Sequence, residues 1–571
     1  MAETLISPGV LAREIDRSQV SAQPVTVGAA IIGPTVKGPV ELPTLVSSYT
    51  DYVNKFGDVL VSGSDTYSYF TSIAAYNYFN NGGDSLLVAR VVSGSYTSAT
   101  STAISASTQA SSQPAFVLKT ISKGIIMNSS GALDSAGALV SGSSNNIRWE
   151  IVNPSTSSGT FDLLIRRGDD ITNSKIVLEQ FTGLSLDPKS NNFVSKVIGD
   201  YVYNYNPSTN QIELTGSFRN NSSYVYVDSV GLLTPDYLDN NGVAKNQYTS
   251  SIPSAASGSF SGATGDVKGG ANFWNNINNA GNTQGLVAAN YSNMVNLLSN
   301  KDDYRFNILI TPGLIDAFAN HTSTVSTIIS NTLQRGDSIF VLDPVGYGST
   351  YTSVVSQAAS RDTSYAAEYW PWCQILDPGT GKNVWVPAST MIIGVYAYND
   401  SVAEPWFAPA GINRGGLGTV IRVEQKLNQS TRDTLYNGKV NPIATFPGQG
   451  IVVYGQKTLQ QKPSALDRVN VRRLLIALKS YISQVANTLV FEQNTIATRN
   501  IFLSQVNPYL SSVQQRQGLY AFKVVMDDTN NTADVIDRNQ LIGQIYVQPT
   551  KTAEFIYLDF IVTPTGATFP A

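Results

Sequence analysis

One stretch constrains the architecture of this chain more than any other. A turn-rich run, GQGIVVYGQKTLQQKPSALDRVN, leads straight into VRRLLIALKSYISQVANTLVFEQ, which ends at Gln493. In the second run Val471, Leu474, Leu475, Leu478, Ile482, Val485 and Ala486 recur at helical spacing, which predicts an amphipathic helix with one apolar stripe. The opposite side is basic. Between residues 457 and 479 stand Lys457, Lys462, Arg468, Arg472, Arg473 and Lys479 against the one acid Asp467, a local net of +5 in a chain whose formal net charge is −4. Such a face suits an acidic partner surface, and a solvated helix face satisfies the same pattern.

At 571 residues the chain is too long for one compact core, and its 42% hydrophobic content is enough to build several. Charged residues make up only 14%, about half of ordinary usage, so the polar surface falls to Ser, Thr, Asn and Gln. Weakly charged surfaces of that kind repel one another little, which fits a subunit touching many copies of itself and equally fits a secreted β-protein. The single cysteine, Cys373, excludes an intrachain disulfide framework and cannot form a zinc site alone. The single histidine, His321, has no second histidine to share a metal or a proton relay. The opening residues lack a basic start followed by an apolar run, and no window offers about 18 consecutive apolar residues. The expectation is a soluble chain made in the cytoplasm, with no membrane insertion.

Turn formers divide the chain. Residues 10–16 form a short extendable stretch between Pro8-Gly9 and a Ser/Gln/Pro flank, too short to stand alone as a strand and read as an arm. Strand 27–33, a helix start at 48–56, a helix over 67–79 stopped at Asn80-Asn81-Gly82-Gly83, and strand 86–92 then predict an α/β layer. Two small-residue stretches, 93–112 and 250–270, bracket strands at 147–151, 161–166 and 175–181. The βαβ rhythm resumes with a helix at 291–298 and strands at 306–310 and 338–342. Strands 519–526 and 542–547 flank a polar turn, and the last strand, 554–563, is apolar enough to be buried on both faces. The expected fold is therefore α/β and α+β multidomain. Its parts are an arm over 1–24, a core first part over 25–93, an inserted β-rich domain over 94–270, a middle α/β domain over 271–400, a C-terminal core with the basic helix over 401–553, and a final strand and arm over 554–571.

Catalytic motifs fail on inspection. Gly379-Thr380-Gly381-Lys382-Asn383 has Leu376 where a phosphate loop needs Gly, and Asn383 where it needs Ser or Thr. The run Gly258-Ser259-Phe260-Ser261-Gly262 holds no serine in the slot of a nucleophile elbow. The acid pairs Asp169-Asp170, Asp302-Asp303 and Asp527-Asp528 are adjacent, whereas glycosidase carboxylates face each other across a cleft. Overall acidity argues against nucleic acid, because counterion release needs a broad basic footprint. The reading is not an enzyme, with no cofactor and no metal.

Several segments together resemble the contractile, myovirus-type phage tail sheath proteins. They are LISPGV at 5–10, AAIIGPTVKGP at 29–39, YNYFNNGGDSLLVARVV at 76–92, VWVPASTMIIGVYAYND at 384–400, PWFAPAGINRGGL at 405–417, DRVNVRRL at 467–474 and VVMDDTNNTADVIDRNQLIGQIYVQP at 524–549. The resemblance implies a structural subunit of the virion tail, assembled in the host bacterial cytoplasm. It implies stacked hexameric rings around a tail tube, contracting to drive the tube through the host envelope, with baseplate and tail terminator proteins as further partners. It also implies a C-terminal α/β core sheet next to the tube, an insertion pointing outward, and terminal arms that add strands to neighbouring subunits. On this sequence the arm residues are Val10, Leu11, Ile15, Phe555, Ile556, Tyr557, Leu558, Phe560 and Ile561, and the tube-facing residues are Arg468, Arg472, Arg473 and Lys479. The sheath of a phage-derived injection particle fits the same residues. A virion adhesin is the reading from another class, resting on the Ser/Thr-rich β insertion.

Overall fold

The computed structural model describes residues 26–62, 65–106, 113–266 and 273–557. At its centre is an eight-stranded sheet. In chain order its strands are β1 (Thr26–Gly33), β2 (Thr44–Val46), β3 (Leu86–Arg90), β4 (Arg305–Ile315), β5 (Ile339–Asp343), β6 (Ala366–Trp370), β7 (Asn441–Phe446) and β8 (Gly450–Val453). Their order across the sheet is β2, β3, β1, β4, β5, β6, β7, β8. The six inner strands run parallel, with β2 and β8 antiparallel at the edges.

Parallel strands with both faces covered should read as unbroken apolar runs, and these do. Ala29, Ile31, Ile308, Ile310, Ile339 and Val341 enter one core, and Ala30, Ile32, Leu309, Phe340 and Leu342 enter the other. Helices α1 (Tyr49–Phe56), α2 (Phe70–Asn80) and α5 (Ser389–Val402) belong to the first core; α3 (Ala319–Arg335) and α4 (Tyr351–Ala359) to the second. Local chemistry sets their ends. The Ser48 hydroxyl accepts from Asp51 N at 3.1 Å to start α1. Helix α2 is closed by Gly82 at φ +92°, while Gly83 N donates back to Tyr78 O at 3.0 Å.

Between β3 and β4 in sequence lie two four-stranded antiparallel sheets. One holds Ile147–Ser155, Thr160–Arg167, Val177–Ser185 and Ala256–Gly258; the other Ser98–Ser101, Phe116–Lys123, Val225–Val230 and Phe260–Ser261. They share one apolar core in which Phe116 stacks on Phe161, centroids 5.6 Å apart.

Beyond β8 the chain changes character. Helices α6 (Val469–Asn487) and α7 (Ile496–Gln515) pack with the hairpin β9 (Leu519–Val525) and β10 (Gln544–Pro549) around Leu474, Leu478, Phe502, Val506, Leu510 and Val513.

Three sequence expectations change here. The sheet does not end at residue 400: α5 runs across that boundary, and β7 pairs with β6 through Tyr369↔Asn441 and Trp370↔Pro442. Pro442 hid β7, since proline in a strand reads as a break. Three helices have no counterpart among those expectations: α3 is Ser/Thr-rich, though its buried Val325, Ile328 and Thr332 fall at helical spacing, α5 is apolar on nearly every side, and α7 contains Pro508, though its buried Phe502, Val506, Leu510 and Val513 share one face. Finally, residues 554–557 form no strand within the chain. The rest of the 554–563 expectation, and the whole arm over 1–24, lie outside the described residues.

Candidate assembly surface

The C-terminal hairpin is a strand pair with one finished face. Phe522 lies opposite Val547 and Val524 opposite Ile545, and these four turn inward onto α6 and α7. Lys523 lies opposite Tyr546 and Ala521 opposite Gln548, and these turn outward, with Tyr546 57% exposed. The register shifts between Leu519 and Ala521, leaving Tyr520 unpaired and exposed. Among the described residues nothing else joins this sheet. A two-stranded ribbon is marginal alone, and no further strand pairs with either outer edge among the described residues, although the Tyr520 carbonyl accepts from Gln514 Nε2 at 2.8 Å.

The chain leaves this hairpin as a tail. Thr550 N donates to Gly518 O at 3.2 Å and its hydroxyl to Gln517 O at 2.7 Å. Gln456 Nε2 then donates to the Thr552 hydroxyl at 2.6 Å. At Glu554 the carboxylate takes four bonds: Arg468 Nε at 2.7 Å and Gln456 Nε2 at 3.1 Å on Oε1, Arg468 Nη2 at 2.9 Å and the Tyr436 hydroxyl at 2.8 Å on Oε2. Burial alone would raise this carboxyl, but the bonds from Arg468, Tyr436 and Gln456 outweigh it and hold the group below its usual range. Immediately afterwards Phe555, Ile556 and Tyr557 are 68%, 75% and 88% exposed. Three successive large apolar residues in water are a feature that asks for a partner. The other expected arm residues, Val10, Leu11, Ile15, Leu558, Phe560 and Ile561, lie outside the described residues.

The expected tube-facing set separates. Arg468 is engaged by Glu554 and by Asp467 at 2.9 Å. Arg472 is buried, its guanidinium 4.1 Å over the Tyr365 ring and bonded to the Ser364 hydroxyl. Arg473 is buried against the Tyr396 ring at 4.8 Å and ion-paired with Asp400. Only Lys479 is exposed, with Nζ 3.2 Å from the Tyr365 hydroxyl. The expectation of an open positive helix face is therefore corrected. Its physical reason is a second apolar line on α6: Val469 and Ile476, seven apart, enter the core under the parallel sheet while the sequence-read stripe enters the C-terminal core. The first two turns are wedged from both sides, and each buried arginine survives there because it has an aromatic face and a bonding partner. Arg472 and Lys479 do share a side, as their spacing predicts, since both meet Tyr365. Lys479 also lines a polar groove of about 710 Å³ with Lys301 and Arg305.

Other candidate chemistry resolves into structure. The adjacent acids Asp169 and Asp170 go to different arginines: Asp170 takes both Nε and Nη2 of Arg166, at 2.7 and 2.8 Å, and Asp169 pairs with Arg167 at 2.5 Å. Asp527 accepts from Thr529 N at 2.9 Å within its turn, and Asp303 accepts from Asn300 at 2.7 Å. His321 is buried, accepts from Ile315 N at 3.1 Å on Nδ1, and is held neutral by burial. Cys373 is buried and its thiol is pushed up to about 12, first by burial and then by the Glu424 charge. Among the described residues no group of three or more His, Cys, Asp or Glu side chains is arranged to hold a metal ion, and no helix is long and apolar enough to cross a membrane. Sequence reasoning missed Glu554, Tyr436 and Gln456. The one signal was an acid set at the start of the last apolar run; Tyr436 and Gln456 give none, being about 100 residues away in sequence.

The chain matches two family models. The phage tail sheath protein central domain matches 285–459 and the phage tail sheath C-terminal domain matches 461–563. The junction falls between β8 and α6, where the structure passes from sheet to helical module. The chain is 42% identical over 229 residues to the tail sheath protein of Vibrio phage KVP40, covering 40% of this chain and 32% of that one. It is 41% identical over 217 residues to the tail sheath protein of Enterobacteria phage T4, covering 38% and 32%. The matched part thus spans about a third of the length of those relatives. In overall fold the chain is similar to a sheath tail protein from Listeria innocua, with TM-score 0.51, 9% identity, and coverage of 92% of this chain and 96% of that one.

Proposed function

We propose, from the premise that this chain is a phage tail sheath protein carrying the central and C-terminal domains of that family, that it polymerises as stacked hexameric rings around a tail tube. Contraction of the stack then drives the tube through the host envelope. The observation that carries this reading is the pairing of an edge-open hairpin with an exposed apolar tail on the same subunit. Each part lacks what the other offers. A donated strand of about five residues makes roughly five backbone hydrogen bonds, each worth about 0.5–1.5 kcal/mol net. Phe555, Ile556 and Tyr557, followed by Leu558, Phe560 and Ile561, form one such donor, and Val10, Leu11 and Ile15 the other.

In this reading the arms hold while broader and weaker surfaces exchange, so the lattice stays linked as subunits slide. Contraction draws on the difference between an extended, kinetically trapped lattice and a contracted one that buries more surface, without nucleotide or cofactor. The region over 94–270 points outward. The tube contact rests on Lys479, with Lys301 and Arg305 across its groove, and the baseplate and terminator proteins meet the ends of the stack. The sheath is assembled in the host bacterial cytoplasm and remains in the virion tail.

Deletion of residues 554–571 tests the reading. The expected product keeps its fold by circular dichroism yet forms no long tubes by electron microscopy. Tubes of normal length from the truncated chain would sink it.

A further inference from the structure

We propose that the four-bond clasp on Glu554 keeps the C-terminal tail from folding back as a third strand on its own hairpin, reserving both tail and hairpin edge for a second copy of the chain. This rests on the arm reading above and adds a device that selects the partner's edge over the subunit's own.

The competing structure is local and well specified. Strand β10 ends at Pro549, and only Thr550, Lys551, Thr552 and Ala553 separate it from Glu554. Connections of this length close antiparallel hairpins. The run directly after Glu554, FIYLDFIV, is aromatic and β-branched, the composition that favours a strand. Three strands are more stable than two, so a tail free to turn would pair with β10 in its own subunit. A subunit closed in that way has lost its C-terminal donor and the β10 edge as an acceptor, which is the problem of any strand-exchanging assembly.

The structure avoids that turn. Residues 551–557 form no strand, and the connector is drawn across the subunit instead. Its partners come from three places: Tyr436 in the helix Gln429–Asn437, Gln456 just past β8, and Arg468, the residue that precedes the first turn of α6. Two of the four bonds form a planar fork from one guanidinium, a geometry that fixes direction as well as distance. Arg468 also lies 5.9 Å from the Tyr436 ring centroid, which ties the two largest partners to each other. Phe555, Ile556 and Tyr557 leave this clasp with their side chains in solvent and join no strand.

The test compares unpolymerised full-length protein, Glu554→Ala, and the charge-reversed pair R468E/E554R by amide hydrogen exchange and by tube yield. In the natural chain the peptide beginning at Phe555 exchanges at unprotected rates. In Glu554→Ala that peptide slows at least tenfold, β10 slows with it, and tube yield falls. The charge-reversed pair returns both readouts toward the natural chain. If the Glu554→Ala tail exchanges as fast as before or faster, the clasp is a tether only and the inference is overturned. The same holds if R468E/E554R behaves like Glu554→Ala. Deleting 554–571 reads the arm hypothesis separately: normal tubes there would sink that hypothesis whatever the exchange data show.

Discussion

The parallel sheet and the C-terminal hairpin are both built from β-strands, but they satisfy their edges and faces in different ways. Strands β1 and β3 to β6 are buried on both faces and paired on both edges within one chain. The hairpin buries one face, exposes Tyr520 and Tyr546 on the other side, and has unpaired edges among the described residues. The first region is complete as a monomer. The second has the properties of an element whose remaining hydrogen bonds and apolar cover come from another molecule. Stability and assembly should therefore respond to different residues.

The largest expected effect tests that separation. Phe340 is fully buried among β5 neighbours, and Phe340→Ala should cost the subunit about 3–5 kcal/mol. Tyr546→Ala, on the outer face of the hairpin, should change subunit stability by no more than about 0.5 kcal/mol while lowering tube yield. Urea unfolding of the unpolymerised protein and electron microscopy of polymers measure the two sides. A Tyr546→Ala chain as destabilised as Phe340→Ala would break the comparison.

The next effect is a pH dependence carried by two buried carboxyls of the sheet. Asp343, at the end of β5, is fully buried, and burial raises its carboxyl to about 6 against hydrogen bonds from Ser389 and Gly313. Glu368 on β6 is buried with neither oxygen bonded and is raised well above the usual range, by burial first and the Asp316 charge second. A carboxyl whose folded value lies above its unfolded one contributes stability below the unfolded value and loses it as pH rises through the folded one. For Asp343 the window opens near pH 4 and closes above 6, at a cost of about 3 kcal/mol. Unfolding midpoints should fall across that window, and Asp343→Asn should flatten the slope. An unchanged slope in that variant would mean the group is ionised in the folded chain.

Much of this was legible in the sequence, and the limits have physical causes. Runs such as AAIIG and LLVAR read as strands because burial on both faces leaves no polar alternation to misread. Helix α6 was legible as a helix, yet its environment was not: a stripe shows that one face is covered and is silent about a second covering. Arg472 and Arg473 look solvated in sequence and are buried in the structure because Val469 and Ile476 draw their side of the helix under the parallel sheet. Strand β7 was hidden by Pro442, and α5 by the absence of any polar face. The clasp on Glu554 joins residues 436, 456, 468 and 554, and no local pattern encodes contacts at that separation.

The smallest expected effect concerns the one member of the basic set that remains exposed. Lys479 touches the rest of the subunit through a single bond to the Tyr365 hydroxyl, and Arg472 lies over the same ring. A glutamate at 479 would lose that bond but gain a cation nearby, so Lys479→Glu should alter subunit stability by no more than about 0.5 kcal/mol. If the proposed tube contact is real, its effect appears in assembly alone. Tubes should form less well around an acidic core structure, and the deficit should grow as salt is lowered, because a like-charge contact is screened less. Arg473→Ala gives the opposite signature, since it strips the Tyr396 ring and the partly exposed Asp400 of a buried guanidinium and destabilises the subunit before any partner is met. A Lys479→Glu chain that assembles normally at every salt concentration would remove α6 from the tube surface and leave its basic residues a purely internal role.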